Sequence, residues 1–187
     1  MTDRRENFYI SVDVETAGPN PADYALLAIG ACTLGEPSKE FYVELKPRST
    51  AILPEAYAVH QLDPRRLQET GVPPVLAMRQ FANWVKEITP PGSKPVFVAL
   101  NAAFDWMFVN DYFWHYLGEN PFGHAALDIK ALFMGLHGVS WQATGYDQIS
   151  RLYGFQRKLA HHALQDARDQ GKLFSLILND FRAVKEP

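Results

Sequence analysis

The chain has 187 residues, of which 47% are hydrophobic and 21% are charged, and its formal net charge is −3. This length and apolar content can bury a sizeable core, and the mixed charge signs exclude a disordered or low-complexity protein. The acidic balance argues against a protein that binds nucleic acid by charge alone, because phosphate contacts need clustered Lys and Arg.

Three strands are predicted at the start of the chain. Phe8 to Val14 is rich in β-branched and aromatic residues, which favours a strand. A second strand is expected from Tyr24 to Leu34 and, after the turn residues Gly35 to Pro37, a third from Lys39 to Leu45. Because these connections are short, we expect an antiparallel meander. The first strand is expected to be central in the sheet, because its residues are the most continuously apolar on one face.

The rest of the chain is predicted to be mostly helical. Residues 47–70 lack a regular pattern apart from one short helix near Glu55 to His60. Pro95 to Leu100 is a short apolar run typical of a buried strand, and Asn101 is expected to cap the helix that follows. Helices are predicted over residues 73–88, 102 to about 117, 128–136, 146–153 and 162 to about 181.

The order of these elements predicts the fold class. Strands followed by a helix–strand–helix run indicate an α/β fold with a mixed sheet. There is no internal repeat or linker, so we expect one domain over residues 1–187 with a core of about 8–178. The single cysteine, Cys32, excludes an internal disulfide and is expected to be buried. No apolar leader or membrane-length run occurs, so we expect a soluble cytoplasmic protein that does not contact membranes.

Asp13 and Glu15 form the first candidate site. Alternate side chains of a strand share a face, so these two carboxylates are expected to converge. Two adjacent like charges on a central strand are costly unless a cation neutralises them, and Mg²⁺ or Mn²⁺ prefers such oxygen ligands. The pair alone is weak evidence for a metal site, because a strand end where both acids are solvated has the same pattern.

Asp105 is the second candidate, in the first turn of the helix predicted after the buried strand. An acid at this position also suits the helix dipole, so a purely structural role stays open. The position faces the carboxyl end of the sheet, where α/β folds usually bind ligands. Its neighbours Phe104, Met107 and Phe108 are apolar, which favours a functional role over a solvated one.

His161 and Asp166 form the third candidate site. Five residues apart on a helix of about 3.6 residues per turn, they would be about 140° out of phase. We therefore place His161 in the loop before the helix and Asp166 in its first turns. Small residues recur every four positions in this helix and predict close packing on the sheet. His162 is a competing candidate, and tandem histidines near a helix start are also typical of a polar surface.

Together these segments resemble the motifs of the DEDDh (DnaQ-like) 3′→5′ exonucleases, the group that contains ribonuclease T and the proofreading epsilon subunit of bacterial DNA polymerase III. The motifs occur in the family's order and at similar spacing, and they extend from about residue 8 to residue 178. The matching segments are residues 13–18 (DVETAG), 58–63 (AVHQLD), 101–108 (NAAFDWMF) and 161–166 (HHALQD).

The resemblance implies a ribonuclease H-like fold with a central mixed five-stranded sheet flanked by helices. It implies that Asp13, Glu15 and Asp166 bind one divalent cation, Mg²⁺ or Mn²⁺, and that Asp13, with Asp105 acting through water, serves a second. It also implies that His161 is the general base. Paired cations of this kind activate water and stabilise the leaving oxygen of a phosphodiester.

The same resemblance places further residues along the 3′ end of a single-stranded DNA or RNA substrate. Phe104 is the best candidate for stacking on a base, whereas the other rings of residues 104–116 favour a core or a subunit interface. A homodimer is expected by analogy with ribonuclease T. Ala17 stands where relatives often have Thr and Leu100 where many have His, and neither change affects a proposed ligand. The expected substrate contacts are Thr16, Ala17, Gly18, His60, Asn101 and Phe104.

The expected activity is a metal-dependent 3′→5′ exonuclease that releases nucleoside 5′-monophosphates. One alternative is an exoribonuclease specific for short oligonucleotides, which an assay against strand length would distinguish. The other is a polymerase-associated accessory subunit whose main task is partner contact, which metal-dependent activity of the isolated chain would exclude. Both DNA and RNA stay open as substrates.

Overall fold

The computed structural model describes residues 6–155 and 159–183, in which a mixed five-stranded sheet has helices on both faces. The strand order is β3-β2-β1-β4-β5, so β1 is central. β1–β2 and β2–β3 are antiparallel, whereas β1–β4 and β4–β5 are parallel. These observations confirm the predicted α/β fold. The strands are β1 (Asn7–Thr16), β2 (Leu26–Thr33), β3 (Glu40–Glu44), β4 (Lys94–Ala99) and β5 (Ala126–Asp128).

Seven α-helices and one short 3₁₀ helix, Trp141–Thr144, occur in the described residues. None of these helices combines the length and the apolar character needed to cross a lipid bilayer. The helices are α1 (Pro54–His60), α2 (Pro64–Thr70), α3 (Pro74–Ile88), α4 (Ala102–Leu117), α5 (Ile129–His137), α6 (Tyr146–Leu152) and α7 (Ala163–Ala183).

Alternate residues of β1 point to opposite faces of the sheet. Ile10, Val12 and Val14 are buried in a hydrophobic core that includes residues of α3 and α4. Aromatic rings fill this core: Phe81 of α3 stacks on Phe113 of α4 with ring centroids 5.6 Å apart. This face of the sheet is therefore sealed by apolar packing, and the polar residues of β1 point to the other face.

Helix α7 covers the polar face of β1 at very short range. Gly30 of β2 is the cross-strand partner of Asp13, and a Cβ atom at Gly30 would lie 2.1 Å from the backbone nitrogen of Leu164. Farther along, a Cβ at Gly171 would lie 3.1 Å from the Cβ of Ser11. The close packing expected from the small residues is present, and a glycine in the sheet makes room for the start of the helix.

Three elements of the structure were not predicted from the sequence: α2, β5 and the 3₁₀ helix Trp141–Thr144. Helix α2 begins after Asp63, whose side chain accepts a hydrogen bond from the backbone N–H of Arg65, and Pro64 occupies its first turn. Asp followed by Pro is a typical helix start, so the signal was present in the sequence. Strand β5 has three residues and forms only through pairing with β4, which no local pattern indicates.

The predicted capping role of Asn101 is wrong. Asn101 precedes α4 but adopts a left-handed conformation with φ of 65°, and its side chain makes no capping hydrogen bond. The first helical N–H, that of Ala102, donates instead to Oδ2 of Asp128 at 2.5 Å. The expectation for Cys32 is confirmed: the side chain is buried, and burial raises the pKa of its thiol to about 11.

Candidate active site

Three carboxylates from distant parts of the chain meet at the end of β1. Asp13, Glu15 and Asp166 each offer an oxygen, and these oxygens all lie within 4.8 Å of one another. Strand alternation directs the first two to one face, and α7 brings Asp166 to the same face because its first turn packs on Gly30. The three side chains form a donor set consisting only of hard oxygen atoms.

Asp105 lies beside this group and connects α4 to β1. The side chain is buried, and its Oδ1 accepts a hydrogen bond from the backbone N–H of Val14 at 3.1 Å. Strands β1 and β4 pair only as far as Ser11 of β1. Asp105 therefore lies next to β1 beyond the paired part of these two strands. Asp105 is not one of the three mutually close carboxylates, but it lines the same cavity.

Burial makes ionisation of these acids unfavourable. Burial raises the pKa of Asp13 well above its usual range, and the charges of Asp105, Glu15 and Asp166 add to the effect. Burial likewise raises the pKa of Glu15 to about 8, again with a contribution from Asp166. Like charges in a buried cluster require a nearby positive charge if all are to ionise at neutral pH.

The pKa values of the other two acids, Asp105 and Asp166, are also raised, but hydrogen bonds from backbone N–H groups oppose the rise. Burial raises the pKa of Asp105, although the backbone N–H groups of Asp105 itself and of Val14 oppose the rise. Burial also raises the pKa of Asp166, opposed by the backbone N–H groups of Ala160 and His161. An all-oxygen donor set of this charge suits Mg²⁺ or Mn²⁺, which prefer carboxylate ligands.

The loop that carries His161 is held by Asp166. Oδ1 of Asp166 accepts a hydrogen bond from the N–H of Ala160 at 2.7 Å, and Oδ2 accepts one from the N–H of His161 at 2.9 Å. His161 lies before α7 in a left-handed conformation with φ of 54°. One carboxylate therefore contributes to the acidic group and also fixes the backbone of the histidine beside it.

The two adjacent histidines have different surroundings. His161 lines the cavity together with the acids. His162 instead stacks on Tyr42 of β3, with ring centroids 4.7 Å apart and planes 20° apart. The structure therefore favours His161 over the competing candidate.

The cavity at the end of β1 has a volume of about 170 Å³. Asn101 and Phe104 line it together with His161, and the ring of Phe104 also contacts Phe108 with centroids 5.5 Å apart. Its lining residues are Asp13, Val14, Glu15, Leu100, Asn101, Phe104, Asp105, Leu159, His161 and Asp166.

The segment Thr16–Gly18 lies under the surface and does not line this cavity. The hydroxyl of Thr16 donates to the carbonyl of Gly18 at 2.9 Å. Ala17 is fully buried; its N–H donates to the carbonyl of Ala25, and its own carbonyl accepts from Leu53, both at 2.9 Å. The backbone N–H of Ala17, which the resemblance offers as a substrate contact, is used inside the protein.

His60 fixes this segment through both ring nitrogens. Nδ1 accepts a hydrogen bond from the backbone N–H of Leu62 at 3.0 Å, so the ring proton is on Nε2, which donates to the carbonyl of Thr16 at 3.0 Å. Burial lowers the pKa of His60, which favours this neutral form. In this structure the imidazole positions the end of β1, and its contact with substrate stays a prediction.

Gln170 was not among the candidates from the sequence. Its buried side chain donates a hydrogen bond to Oδ1 of Asp13 and accepts one from the N–H of Leu100. Gln170 and Asp13 are 157 residues apart in the chain, and no local pattern links them. Such a contact becomes visible only when the sheet and α7 are assembled.

Comparisons with known proteins find similarity over most of the chain. Residues 8–178 match the family described as the 3′-5′ exoribonuclease Rv2179c-like domain. The chain is 45% identical over 172 residues to the 3′-5′ DNA exonuclease Cap18 of Escherichia coli, covering 92% of each chain. It is 31% identical over 194 residues to ribonuclease T of Shewanella frigidimarina, covering 96% of this chain and 86% of that one. The solved nuclease domain of 3′hExo, a DEDDh family member bound to rAMP, superposes with a TM-score of 0.78 at 14% identity, covering 96% of this chain and 95% of that one.

Proposed function

The chain belongs to the family of 3′-5′ exoribonuclease Rv2179c-like domains, among the DnaQ-like 3′→5′ exonucleases, and we propose that it shortens single-stranded DNA or RNA from the 3′ end, releasing nucleoside 5′-monophosphates. The observation that carries the proposal is the meeting of Asp13, Glu15 and Asp166 in a cavity that His161 also lines. The proposed unit is a single exonuclease domain over residues 1–187, with a core of about 8–178.

The proposed cofactors are two divalent cations, Mg²⁺ or Mn²⁺. Asp13, Glu15 and Asp166 would hold one, and Asp13 together with Asp105 would serve the other. The fit rests on the donor chemistry, because the group offers only carboxylates, and on burial and mutual repulsion, which raise the pKa values of Asp13 and Glu15 and which a bound cation would offset. When bound, such cations supply activation of water and stabilisation of the leaving oxygen.

His161 is proposed as the general base. It takes a proton from the attacking water as the water oxygen bonds to phosphorus. The bond from phosphorus to the 3′ oxygen of the preceding nucleotide breaks, that oxygen takes up a proton, and the terminal nucleotide leaves as a 5′-monophosphate. An imidazole suits this role near neutral pH, and Asp166 holds the loop backbone so that the ring stays in the cavity.

The shape of the cavity supports a single strand as the substrate. About 170 Å³ is small compared with the roughly 300–1,000 Å³ of ordinary ligand pockets, so a strand end fits better than a duplex. Phe104 offers a ring face for one base, and Asn101 lies beside it. His60 holds the Thr16–Gly18 segment in place behind the acids. The family description refers to RNA and the name of Cap18 refers to DNA, so the test includes both DNA and RNA oligonucleotides.

The test is digestion of matched 5′-labelled DNA and RNA oligonucleotides of graded length with Mn²⁺. We expect a ladder that shortens stepwise from the 3′ end, and mass spectrometry should identify nucleoside 5′-monophosphates as products. Internal cuts would contradict the proposal. Cleavage limited to the shortest strands would favour the short-oligonucleotide exoribonuclease instead.

The adjacent residue, His162, provides a matched control for His161, the proposed general base. His161→Ala should reduce kcat by about 10²–10⁴-fold, the usual contribution of a general base, with little change in oligonucleotide affinity. His162→Ala should stay near wild type, because its ring lies on Tyr42 outside the cavity. Equal losses in both variants would contradict the assignment.

A homodimer is also proposed, by analogy with ribonuclease T. Most rings of α4 are used in the core, but Trp114 is 47% exposed and is available for an interface. Light scattering tests this part independently of activity, and a mass equal to the monomer would contradict it.

A further inference from the structure

Gln170 connects two parts of the candidate site through one buried side chain. Only 2% of the residue is exposed. Its oxygen accepts a hydrogen bond from the backbone N–H of Leu100 at 2.7 Å, and its nitrogen donates one to Oδ1 of Asp13. The residue lies on α7, one turn after Asp166. The amide therefore spans from the end of β4 to the first acid of β1.

The orientation of this amide is fixed by its partners. The N–H of Leu100 can only donate, so the atom facing it must be the amide oxygen of Gln170. The amide NH₂ group then faces Asp13, which must act as the acceptor. A hydrogen bond to an ionised carboxylate is stronger than one between neutral groups, so the contact favours the charged form of Asp13.

The surroundings of Asp13 make this contact important. Three further acids, Asp105, Glu15 and Asp166, line the same cavity, and the side chain of Gln170 gives Asp13 a hydrogen-bond donor. The other end of the amide holds Leu100, which directly precedes Asn101 and the helix that carries Asp105. One side chain thus opposes charge repulsion at Asp13 and ties it to the neighbouring segment.

We propose that Gln170 is a positioning residue that holds the Asp13 carboxylate ready to bind a divalent cation. The inference rests on the proposed function, because it assumes that Asp13 is a cation ligand. Hydrogen-bonding partners of metal ligands orient those ligands, and their loss typically lowers metal affinity or activity by 10–100-fold.

The experiment compares Gln170→Met with Gln165→Met on the same helix. Gln165 is half-buried and donates to Asp169 rather than to a proposed ligand. Mn²⁺ affinity is measured by titration calorimetry, and exonuclease kinetics are measured at saturating Mn²⁺. For Gln170→Met we expect a Mn²⁺ dissociation constant raised by about 10–100-fold and a lower kcat, with little change in KM for the oligonucleotide. Gln165→Met should bind Mn²⁺ like wild type.

A stability control separates positioning from a general structural role. Leu173→Ala removes a fully buried side chain from α7 without touching the acids, so it should lower Tm but leave Mn²⁺ affinity unchanged. All affinities are measured below the onset of unfolding, monitored by circular dichroism. Should Gln170→Met fail to fold, Gln170→Asn keeps the amide but is one methylene too short to reach both partners.

The outcomes are distinct. Wild-type Mn²⁺ affinity in a folded Gln170 variant, with normal kcat, would overturn the positioning role while leaving the proposed function intact. Weakened Mn²⁺ binding in Leu173→Ala to the same extent would also overturn it. If the wild-type chain itself neither binds Mn²⁺ nor cleaves oligonucleotides, the proposed function fails, and the inference fails with it.

Discussion

The two faces of β1 have different roles: one packs in the hydrophobic core, and the other carries two acids of the candidate site. On one face Ile10, Val12 and Val14 are buried among aromatic rings, and every contact lowers the free energy of the folded chain. On the other face the half-buried Asp13 and the buried Glu15 lie beside Asp166, where burial and like charge oppose their ionisation. The residues alternate, so the two environments are one residue apart.

The comparison separates the residues that stabilise the fold from the residues that are proposed to take part in the reaction. The apolar face can hold an unfavourable acidic face in place, because the strand is anchored by side chains on the face opposite to the carboxylates. We therefore expect changes on the acidic face to affect activity far more than folding, and changes on the apolar face to do the reverse. Three experiments test this separation.

The largest effect is expected on the acidic face. Asp13→Asn keeps the shape of the side chain and an oxygen for Gln170 but removes the charge, so kcat/KM should fall by at least roughly 10³-fold. Without metal, Tm should not fall, because Asn cannot ionise at a position where burial and the neighbouring acids disfavour a charged carboxylate. Steady-state cleavage with Mn²⁺ and thermal melts in EDTA measure the two quantities. Full activity in the variant would show that Asp13 is not a ligand.

A smaller effect is expected three residues away on the opposite face. Ile10→Ala should lower the free energy of unfolding by about 2–5 kcal/mol, and Ile10→Val by about 0.5–1.5 kcal/mol, because the side chain is fully buried. Urea denaturation in EDTA gives these values. At temperatures where the variants are folded, kcat should match wild type. A large loss of kcat in folded Ile10→Val would mean that the two faces are coupled.

The smallest effect concerns the pH dependence of the metal-free protein. The folded pKa of Glu15, about 8, lies above its ordinary value of 4.5, so its protonated form stabilises the fold below pH 4.5, and this stabilisation is lost as the pH rises through about 8. The pKa values of Asp13, Asp105 and Asp166 are raised as well and act in the same direction. Over this window Tm in EDTA should fall by at least about 2–4 °C, the equivalent of 1 kcal/mol in a domain of this size.

Two changes serve as controls for the pH experiment. Glu15→Gln cannot ionise at this position and should flatten the dependence. Saturating Mn²⁺ should flatten it too, because cation binding favours the ionised carboxylates. A Tm in EDTA that rises over the same window would contradict the raised pKa values.

Much of the fold followed from local sequence patterns. Apolar spacing predicted α3 to within one residue of its observed bounds, short connections predicted the meander, and the continuous apolar face of β1 predicted its central position. Strand β5 was not predicted because three residues are too few to show an alternating pattern. Helix α2 was not predicted although its Asp–Pro start is a helix signal in the sequence. The capping prediction for Asn101 was wrong because the side chain of Asp128, in β5, accepts the hydrogen bond from the first helical N–H instead.

The candidate site was predictable to a different extent. Strand alternation placed Asp13 and Glu15 on one face, and positions at predicted helix starts made Asp105, His161 and Asp166 candidates. The family resemblance then suggested the role of each residue. Hydrogen bonds between distant segments could not be inferred, because their geometry depends on how α7 packs against the sheet. The contacts of Gln170 and the internal use of the Ala17 N–H are of this kind.

Gly30 has a consequence for anyone who redesigns this enzyme. The glycine lies opposite Asp13, directly under the first residues of α7, where any added carbon would collide with the helix backbone. A methyl group there would push Asp166 and the His161 loop outward while leaving every reactive side chain chemically intact. Laboratory evolution toward new substrates can therefore explore the rim of the cavity freely, but tolerance at position 30 should be close to zero.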